Sequence, residues 1–204
     1  MATTGSVGAV RPARTVEGIK QQHGVFTEPP VVRWLFSDTR SAWIWLVLRV
    51  WLGWRWLEAG LGKVGNPAWT GDQAGAAVAG FLKGALAKTA GEHPDVPAWY
   101  AWFIERVALP HAPLFGHLVA YGEVLIGVAL ILGLFTGIAA FAGSFMNANF
   151  LFAGTVSSNP VMFIVATWLV LAWRVAGWYG ADRWVLPALG TPWQPGAVFA
   201  GRRR

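Results

Sequence analysis

Four long apolar stretches alternate with more polar segments along the chain, and they predict its architecture. They cover about residues 42–62, 114–133, 138–155 and 161–179, and none shows the strict alternation of a β-strand. At a rise of roughly 1.5 Å per residue, a helix needs about 20 apolar residues to cross a bilayer. Backbone polar groups in lipid are satisfied only in helices or closed barrels, so the pattern predicts four membrane-spanning helices.

Short turns separate the last three stretches and fix how their helices should be arranged. Residues 134–137 and 155–160 are rich in turn-forming residues, including Gly137 and Pro160. Such connections make successive helices antiparallel neighbours. We therefore expect an all-α fold, an integral membrane four-helix antiparallel bundle spanning residues 41–182. Residues 1–40 should form a mobile polar N-terminal tail and residues 183–204 a C-terminal tail.

The segment between the first and second stretches, residues 63–113, is unusually long for a helix–helix connection. Two parts of it, 74–88 and 97–109, have an amphipathic helical pattern but are too short to span a bilayer. The pattern predicts short interfacial helices that lie over one end of the bundle.

Composition supports a membrane protein and narrows its chemistry. Hydrophobic residues make up 55% of the chain and charged residues 13%, unlike an ordinary soluble domain. The chain has no cysteine, which excludes iron–sulfur clusters and covalently attached haem. No two of its four histidines are four residues apart, so we expect no bound metal, haem or cluster. No cluster of basic residues is interleaved with aromatic side chains on which bases could stack, so nucleic acid is not an expected partner.

The distribution of positive charge predicts the orientation. Five lysines and arginines precede residue 41, and Arg183 and residues 202–204 add more at the other end. Cytoplasmic loops carry an excess of such residues, so both termini should be cytoplasmic in a multi-pass protein of the cell membrane. The segment 63–113 would then face outward.

Ionisable and amide side chains inside the apolar stretches are the candidate functional residues. Helix rise places Arg55, Glu123, Asn147 and Asn149 in one layer, roughly 9–14 Å below the outer end. Two interpretations stay open. In one, Arg55 and Glu123 form a buried ion pair whose remaining hydrogen bonds the asparagines satisfy. In the other, the layer forms a polar pocket for a small anion or a quinone head group. The candidates also include Glu58, Lys63 and His117.

Two further arginines and several glycines have simpler interpretations. Arg49 and Arg174 lie nearer the inner face, where long side chains can reach the interface and anchor the helix. Glycines within the stretches favour close helix packing. These are Gly53, Gly60, Gly62, Gly122, Gly127 and Gly143.

Three motifs carry a resemblance to the DoxX/DoxD family. The first is residues 49–60, RVWLGWRWLEAG, followed by Lys63. The second is residues 122–127, GEVLIG, followed by LILGL and Thr136. The third is residues 146–155, MNANFLFAGT, followed by Asn159 and Pro160. The resemblance covers about residues 42–182, and the chain resembles the DoxD-like large subunit of thiosulfate:quinone oxidoreductase.

That resemblance implies a function and a set of partners. The enzyme oxidises thiosulfate to tetrathionate and passes the electrons to membrane quinone, together with a DoxA-like small subunit. Arg55, Lys63, Asn147, Asn149 and His117 would then bind the anionic substrate. Glu58 and Glu123 would form a proton relay. A homo-oligomer is a further expected assembly.

Two other functions fit the same sequence. The first is a non-catalytic DoxX-type membrane scaffold that docks a soluble redox partner. The second is a small-solute transporter, although the two halves show no inverted repeat of broken helices.

Overall fold

Helices in the structure follow the apolar stretches closely. A computed structural model describes residues 28–191, and within that range every regular element is helical, which confirms the all-α class. The long helices are α2, α6, α7 and α8, and shorter ones flank or connect them. The helices are α1 Pro30–Ser37, α2 Ala42–Val64, α3 Pro67–Thr70, α4 Ala76–Leu86, α5 Ala98–Phe103, α6 Ala112–Leu132, α7 Thr136–Phe152, α8 Asn159–Leu171, α9 Trp173–Ala176 and α10 Asp182–Leu189.

Residues at both ends of the described range are more ordered than the sequence suggested. The mobile tail was expected to reach residue 40, yet α1 and a 3-10 turn at Thr39–Ser41 form there. The Trp45 indole N–H and the Ser41 hydroxyl both donate to the Leu35 carbonyl, at 2.8 Å each, which holds α1 against α2. At the other end, α10 lies within the expected C-terminal tail. The rest of both predicted tails, 1–27 and 192–204, lies outside the described residues.

Helices α2 and α6 form the most extensive contact, and glycines allow their backbones to approach. A Cβ on Gly127 would lie 2.6 Å from the Leu57 amide nitrogen, and one on Gly60 would lie 2.7 Å from that of Val124. Residues later in α2 contact residues earlier in α6, so the two helices are antiparallel. The packing role predicted for Gly53, Gly60 and Gly127 is confirmed, whereas a Cβ on Gly62 would meet nothing within 4 Å.

Helices α7 and α8 pack side by side and close the bundle against α2 and α6. Its apolar core contains Trp45, Leu52 and Trp56 from α2, with Leu130 from α6 and Leu169 from α8. Each of these side chains is at most 2% exposed. The four long helices therefore share one core.

The segment 63–113 forms a second, smaller core over the other side of α6. Helices α3 and α4 pack on α6, and α5 continues into a π-helical turn at Ile104–Ala108. The helices predicted at 74–88 and 97–109 correspond to α4 and to α5 with that turn. Val78, Leu82, Val96, Tyr100 and Ile104 are buried in this cluster. The segment is thus a folded cover, not an open loop.

A polar cluster holds the tight turn between α6 and α7. The buried Arg49 guanidinium donates to the carbonyls of Leu130 and Ile131, at 2.6 and 3.1 Å, and to that of Tyr179 at 3.2 Å. The expected role of Arg49 as an interfacial anchor is therefore wrong, since the side chain is 1% exposed. Carbonyls at a helix C-terminus lack partners within the helix, and a cation there is favoured by the helix dipole.

Asp182 provides the complementary contact on the other side of this turn. Its carboxylate accepts from the backbone N–H groups of Phe135 and Thr136, at 2.6 and 2.9 Å, where α7 begins. Its own N–H donates to the Gly133 carbonyl at 2.8 Å. A buried anion thus satisfies the unpaired amides of α7, while Arg49 satisfies the carbonyls of α6.

Length and apolar composition identify one helix of the described range, α6, as able to cross a membrane. Helix α8 is also apolar but has only 13 residues before the break at Ala172. Helix α2 has 23 residues and carries Arg49, Arg55, Glu58 and Lys63.

Candidate functional site

A large cavity lies between α2, α6 and α7, beneath the cover formed by α3, α4 and α5. Its volume is about 560 Å³. Most of its wall is aromatic or aliphatic, and its polar side chains include Arg55, Lys63, Tyr100, Glu123 and Asn149. The apolar lining includes Trp56, Trp69, Val78, Phe81, Leu82, Phe103, Phe115, Leu118, Val119, Phe145, Met146, Phe150 and Met162.

A buried ion pair is the main charged feature of this cavity. Lys63 Nζ, near the end of α2, lies 2.6 Å from Glu123 Oε2 in the middle of α6. The Glu123 side chain is 2% exposed and that of Lys63 is 21% exposed. Lys63 Nζ also donates to the Ala59 carbonyl at 3.3 Å and lies 5.2 Å from the centre of the Trp69 ring. Several contacts therefore fix the ammonium group over the carboxylate.

This arrangement corrects the pairing inferred from depth along the helices. Arg55 was expected to pair with Glu123, yet Arg55 Nη1 lies 2.9 Å from Glu58 Oε2. These two side chains are 44% and 57% exposed, and such exposed pairs contribute only about 0–1 kcal/mol. Lys63, expected at the outer mouth, takes the place of Arg55 as the partner of Glu123.

Tyr100 and Asn149 form the second polar group of the cavity wall. The Tyr100 hydroxyl lies 3.0 Å from the Asn149 carbonyl and 3.1 Å from Asn149 Oδ1. Asn149 Nδ2 in turn donates to the Phe145 carbonyl at 2.8 Å. Burial raises the pKa of Tyr100 to about 12, so the phenol stays a hydrogen-bond donor at neutral pH. This contact joins the cover to α7.

The structure does not bring all of the predicted site residues to this cavity. Asn147 is fully buried away from its lining, and neither its Oδ1 nor its Nδ2 has a hydrogen-bond partner among the described residues. Glu58 and His117 are also absent from the lining. His117 Nδ1 bonds the Pro113 carbonyl at 2.8 Å, one turn back along α6, and its ring stacks on Tyr121.

Several residues of the cavity were not found from the sequence. Tyr100 and Trp69 lie in the cover. The pattern around Tyr100 indicated only an amphipathic helix, and Trp69 lies outside both helices predicted in this segment. Trp56 lies on α2 with its indole N–H buried and unpartnered within the described range. The one available signal was the Tyr100 hydroxyl itself, because a phenol on the apolar side of a helix usually needs a partner.

The polar groups at this cavity determine what it can hold. Both cations on its wall face a carboxylate, so it offers no excess positive charge for a dianion. Lys63, Tyr100 and Asn149 instead place donors and acceptors along an otherwise apolar wall. In the part of the chain that the structure describes, no group of three or more His, Asp or Glu side chains could hold a metal ion. The geometry suits a largely apolar molecule with one polar end.

Comparison with known proteins identifies the family. The DoxX family profile matches residues 44–155, more than half of the chain. This stretch includes α2, the cover, α6 and α7, and therefore most of the cavity wall. No curated protein and no solved structure matches the chain. On the strength of the profile match, the chain belongs to the DoxX family of membrane proteins.

Proposed function

We propose that this protein is the membrane subunit of a quinone-reducing oxidoreductase and that the large cavity binds the quinone head group. The observation that carries the proposal is the Lys63–Glu123 pair at 2.6 Å on the wall of an apolar cavity of about 560 Å³. Ligand pockets for small molecules are mostly apolar, with a few placed polar groups, and measure about 300–1,000 Å³.

The side chains present fit a quinone. Its flat ring suits the aromatic wall, where Trp56, Trp69 and Phe103 contribute ring faces and edges. Its carbonyl oxygens are acceptors, and the Lys63 ammonium is a donor on the same wall. The Tyr100 hydroxyl, which donates to Asn149, would donate to a quinone by exchanging that partner. Leu118 and Phe145, which line the cavity, are 56% and 66% exposed on α6 and α7. A hydrophobic acceptor dissolved in the bilayer could enter between these two helices.

Quinone reduction requires two electrons and two protons, and the ion pair supports the proton part. Glu123 is held against Lys63 at the cavity, so a proton can pass between the carboxylate, the ammonium and a bound carbonyl oxygen. Glu58 is exposed and lies off the lining, so Glu123 is the member of the predicted relay that contacts the cavity.

The electron donor we propose is thiosulfate, as the resemblance to the DoxD-like subunit implies. Oxidation of two thiosulfates to one tetrathionate forms a sulfur–sulfur bond and releases the two electrons that one quinone accepts. Because both cations at the cavity are paired, we place this oxidation on a DoxA-like small subunit, not inside the cavity.

The membrane arrangement is part of the same proposal. Helices α2, α6, α7 and α8 would cross the bilayer, with both termini in the cytoplasm and the cover outside. The short α8 is extended by α9 after the break at Ala172. A topology reporter fused at residue 204 should be active on the cytoplasmic side, and an external signal would contradict this orientation.

The activity is tested with purified protein, a candidate small subunit, thiosulfate and a short-chain quinone. Thiosulfate-dependent quinone reduction is expected, and Glu123→Gln should lower kcat by about a hundredfold or more, as for loss of a proton donor. Tyr100→Phe, which keeps the ring, should raise KM more than it lowers kcat. Asp38→Asn is the matched control, because this partly exposed carboxylate lies away from the cavity and, among the described residues, pairs only with Arg40.

Quinone binding is measured separately through quenching of tryptophan fluorescence, since Trp56 and Trp69 line the cavity. Absence of quenching would refute the assignment of the cavity. Quenching without turnover, with any small subunit supplied, would instead favour the non-catalytic scaffold.

A further inference from the structure

A second, smaller cleft lies at the end of the bundle where α6 turns into α7. It is formed by α9, α10 and the residues between them, outside the stretch matched by the family profile. Its volume is about 150 Å³. The lining residues are Trp173, Arg174, Trp178, Asp182, Arg183, Leu186, Pro187 and Thr191. Glu123 and the large cavity lie near the middle of α6, away from the end that turns into α7, so the two sites are distinct.

We propose that this cleft binds a phosphate group through Arg174 and Arg183. Among the residues that the structure describes, no carboxylate lies within 4.0 Å of either guanidinium. Guanidinium groups recognise phosphate oxygens through paired N–H donors, and two unpaired ones in one cleft give it this chemistry.

Tryptophan rings position both arginines. The Arg174 guanidinium lies 5.7 Å from the centre of the Trp173 ring, and that of Arg183 lies 5.0 Å from the centre of the Trp178 ring. A guanidinium over an aromatic face is attracted to it and loses some of its freedom. Both side chains are therefore held at the cleft while their N–H groups stay available to a ligand.

The carboxylate in this cleft does not neutralise them. Asp182 is 3% exposed, and both of its oxygens already accept backbone N–H groups at the start of α7. Buried Arg49 also lies close enough to Asp182 for a favourable charge interaction. The charge of Asp182 is thus compensated from inside the protein, and the cleft keeps the positive charge of its two arginines.

Size and position favour a small anionic group. The cleft is smaller than the roughly 300–1,000 Å³ of pockets that enclose a drug-sized ligand. Arg174 follows the apolar α8, and the neighbouring Trp184 on α10 is 70% exposed. Exposed tryptophans and basic residues at the end of an apolar helix are typical of the bilayer interface, where basic pockets bind anionic head groups. Phosphate is the chemistry shared by a lipid head group and a soluble ion.

The test measures lipid retention by the full-length protein with native mass spectrometry. The probes are phosphatidylglycerol and phosphatidylcholine with the same acyl chains, and inorganic phosphate serves as competitor. The protein should prefer phosphatidylglycerol at least about fivefold, and the double variant R174Q/R183Q should bind it about 25-fold more weakly, at about fivefold per arginine near the surface. The matched control is Arg106→Gln, which removes an exposed arginine from the cover.

The outcomes separate the possible sources of phosphate. Displacement of the lipid by millimolar inorganic phosphate supports a site for phosphate of either source, and failure to displace supports a lipid head group. If the double variant does not fold, Arg174→Gln and Arg183→Gln alone should each weaken binding about fivefold. Affinity for phosphatidylglycerol that is unchanged in these variants, or lowered equally by Arg106→Gln, would overturn the proposal.

Discussion

Replacing Lys63 by methionine isolates the energetic role of the ion pair at the large cavity. In the wild type the Lys63 ammonium lies 2.6 Å from the Glu123 carboxylate, whose side chain is 2% exposed. The substitution removes the ammonium and leaves the carboxylate buried. Removal of one partner of a buried ion pair costs about 3–5 kcal/mol, because the other charge stays desolvated. Replacing both partners by apolar residues, as in K63M with Glu123→Leu, should cost little or even stabilise the protein by about 1–4 kcal/mol.

The assay is thermal unfolding in detergent, followed by intrinsic tryptophan fluorescence. The chain has 14 tryptophans and no cysteine, so indole emission reports on unfolding while thiol-reactive dyes cannot. For a protein of this size 1 kcal/mol shifts Tm by about 2–4 °C, so Lys63→Met should lower Tm by about 6–20 °C. The double variant should recover most of that loss.

The matched control is the exposed pair on the same helix. Arg55→Met breaks the contact with Glu58, and an exposed pair contributes only about 0–1 kcal/mol, so Tm should fall by at most about 4 °C. If Lys63→Met shifts Tm no more than Arg55→Met does, or if the double variant is less stable than Lys63→Met, the reasoning about the buried pair is refuted.

Three other predictions follow from contacts described above. Gly60→Ala should destabilise the protein by about 1–3 kcal/mol through overpacking against α6, while Gly62→Ala, with open space around its Cβ, should be neutral or stabilising. Because burial raises the pKa of Tyr100 from 10.0 to about 12, the stability it contributes below pH 10 is lost as pH rises to about 12. At about 1.4 kcal/mol per pKa unit, this loss is about 2–3 kcal/mol and should be missing in Tyr100→Phe. Asp182→Asn should lower the free energy of unfolding by about 1.5–3 kcal/mol, because a neutral amide accepts from the N–H groups of Phe135 and Thr136 more weakly than a carboxylate does.

The same unfolding assay checks all three. Equal Tm values for the two glycine variants would contradict the close approach of α2 and α6. Parallel stability curves for the wild type and Tyr100→Phe between pH 9 and about 12 would contradict the burial of the phenol. Tyr121→Phe is the control for the titration, because that ring is 48% exposed. An Asp182→Asn variant as stable as the wild type would remove the capping role of the carboxylate.

Hydrophobic pattern and turn chemistry were sufficient to predict the long helices. The stretch predicted at 42–62 is α2 Ala42–Val64, and the one at 114–133 is α6 Ala112–Leu132. Such boundaries depend on local sequence, as at Pro113, which lies in the first turn of α6. Depth along the bundle was not predicted correctly, because Gly60 of α2, and not Arg55, lies beside Glu123 and Val124 of α6.

Rotation about the helix axes could not be predicted in this way. Arg55 and Lys63 were both placed near the outer half of the bundle, but packing turns Lys63 toward Glu123 and leaves Arg55 exposed. The contact between Tyr100 and Asn149 depends on how the segment 63–113 folds back over α7, which no local pattern contains.

The contacts of Asp182 have a consequence for the order in which the protein matures. Asp182 lies 47 residues beyond Phe135, whose amide it accepts. A ribosome therefore completes both α6 and α7 well before the residue that satisfies their shared turn exists. Until α10 arrives, the first amides of α7 have no carboxylate, and the nascent hairpin is left with unsatisfied polar groups at one end. Helix α10, which carries Asp182, thus completes the turn between α6 and α7 only after both of those helices have been synthesised.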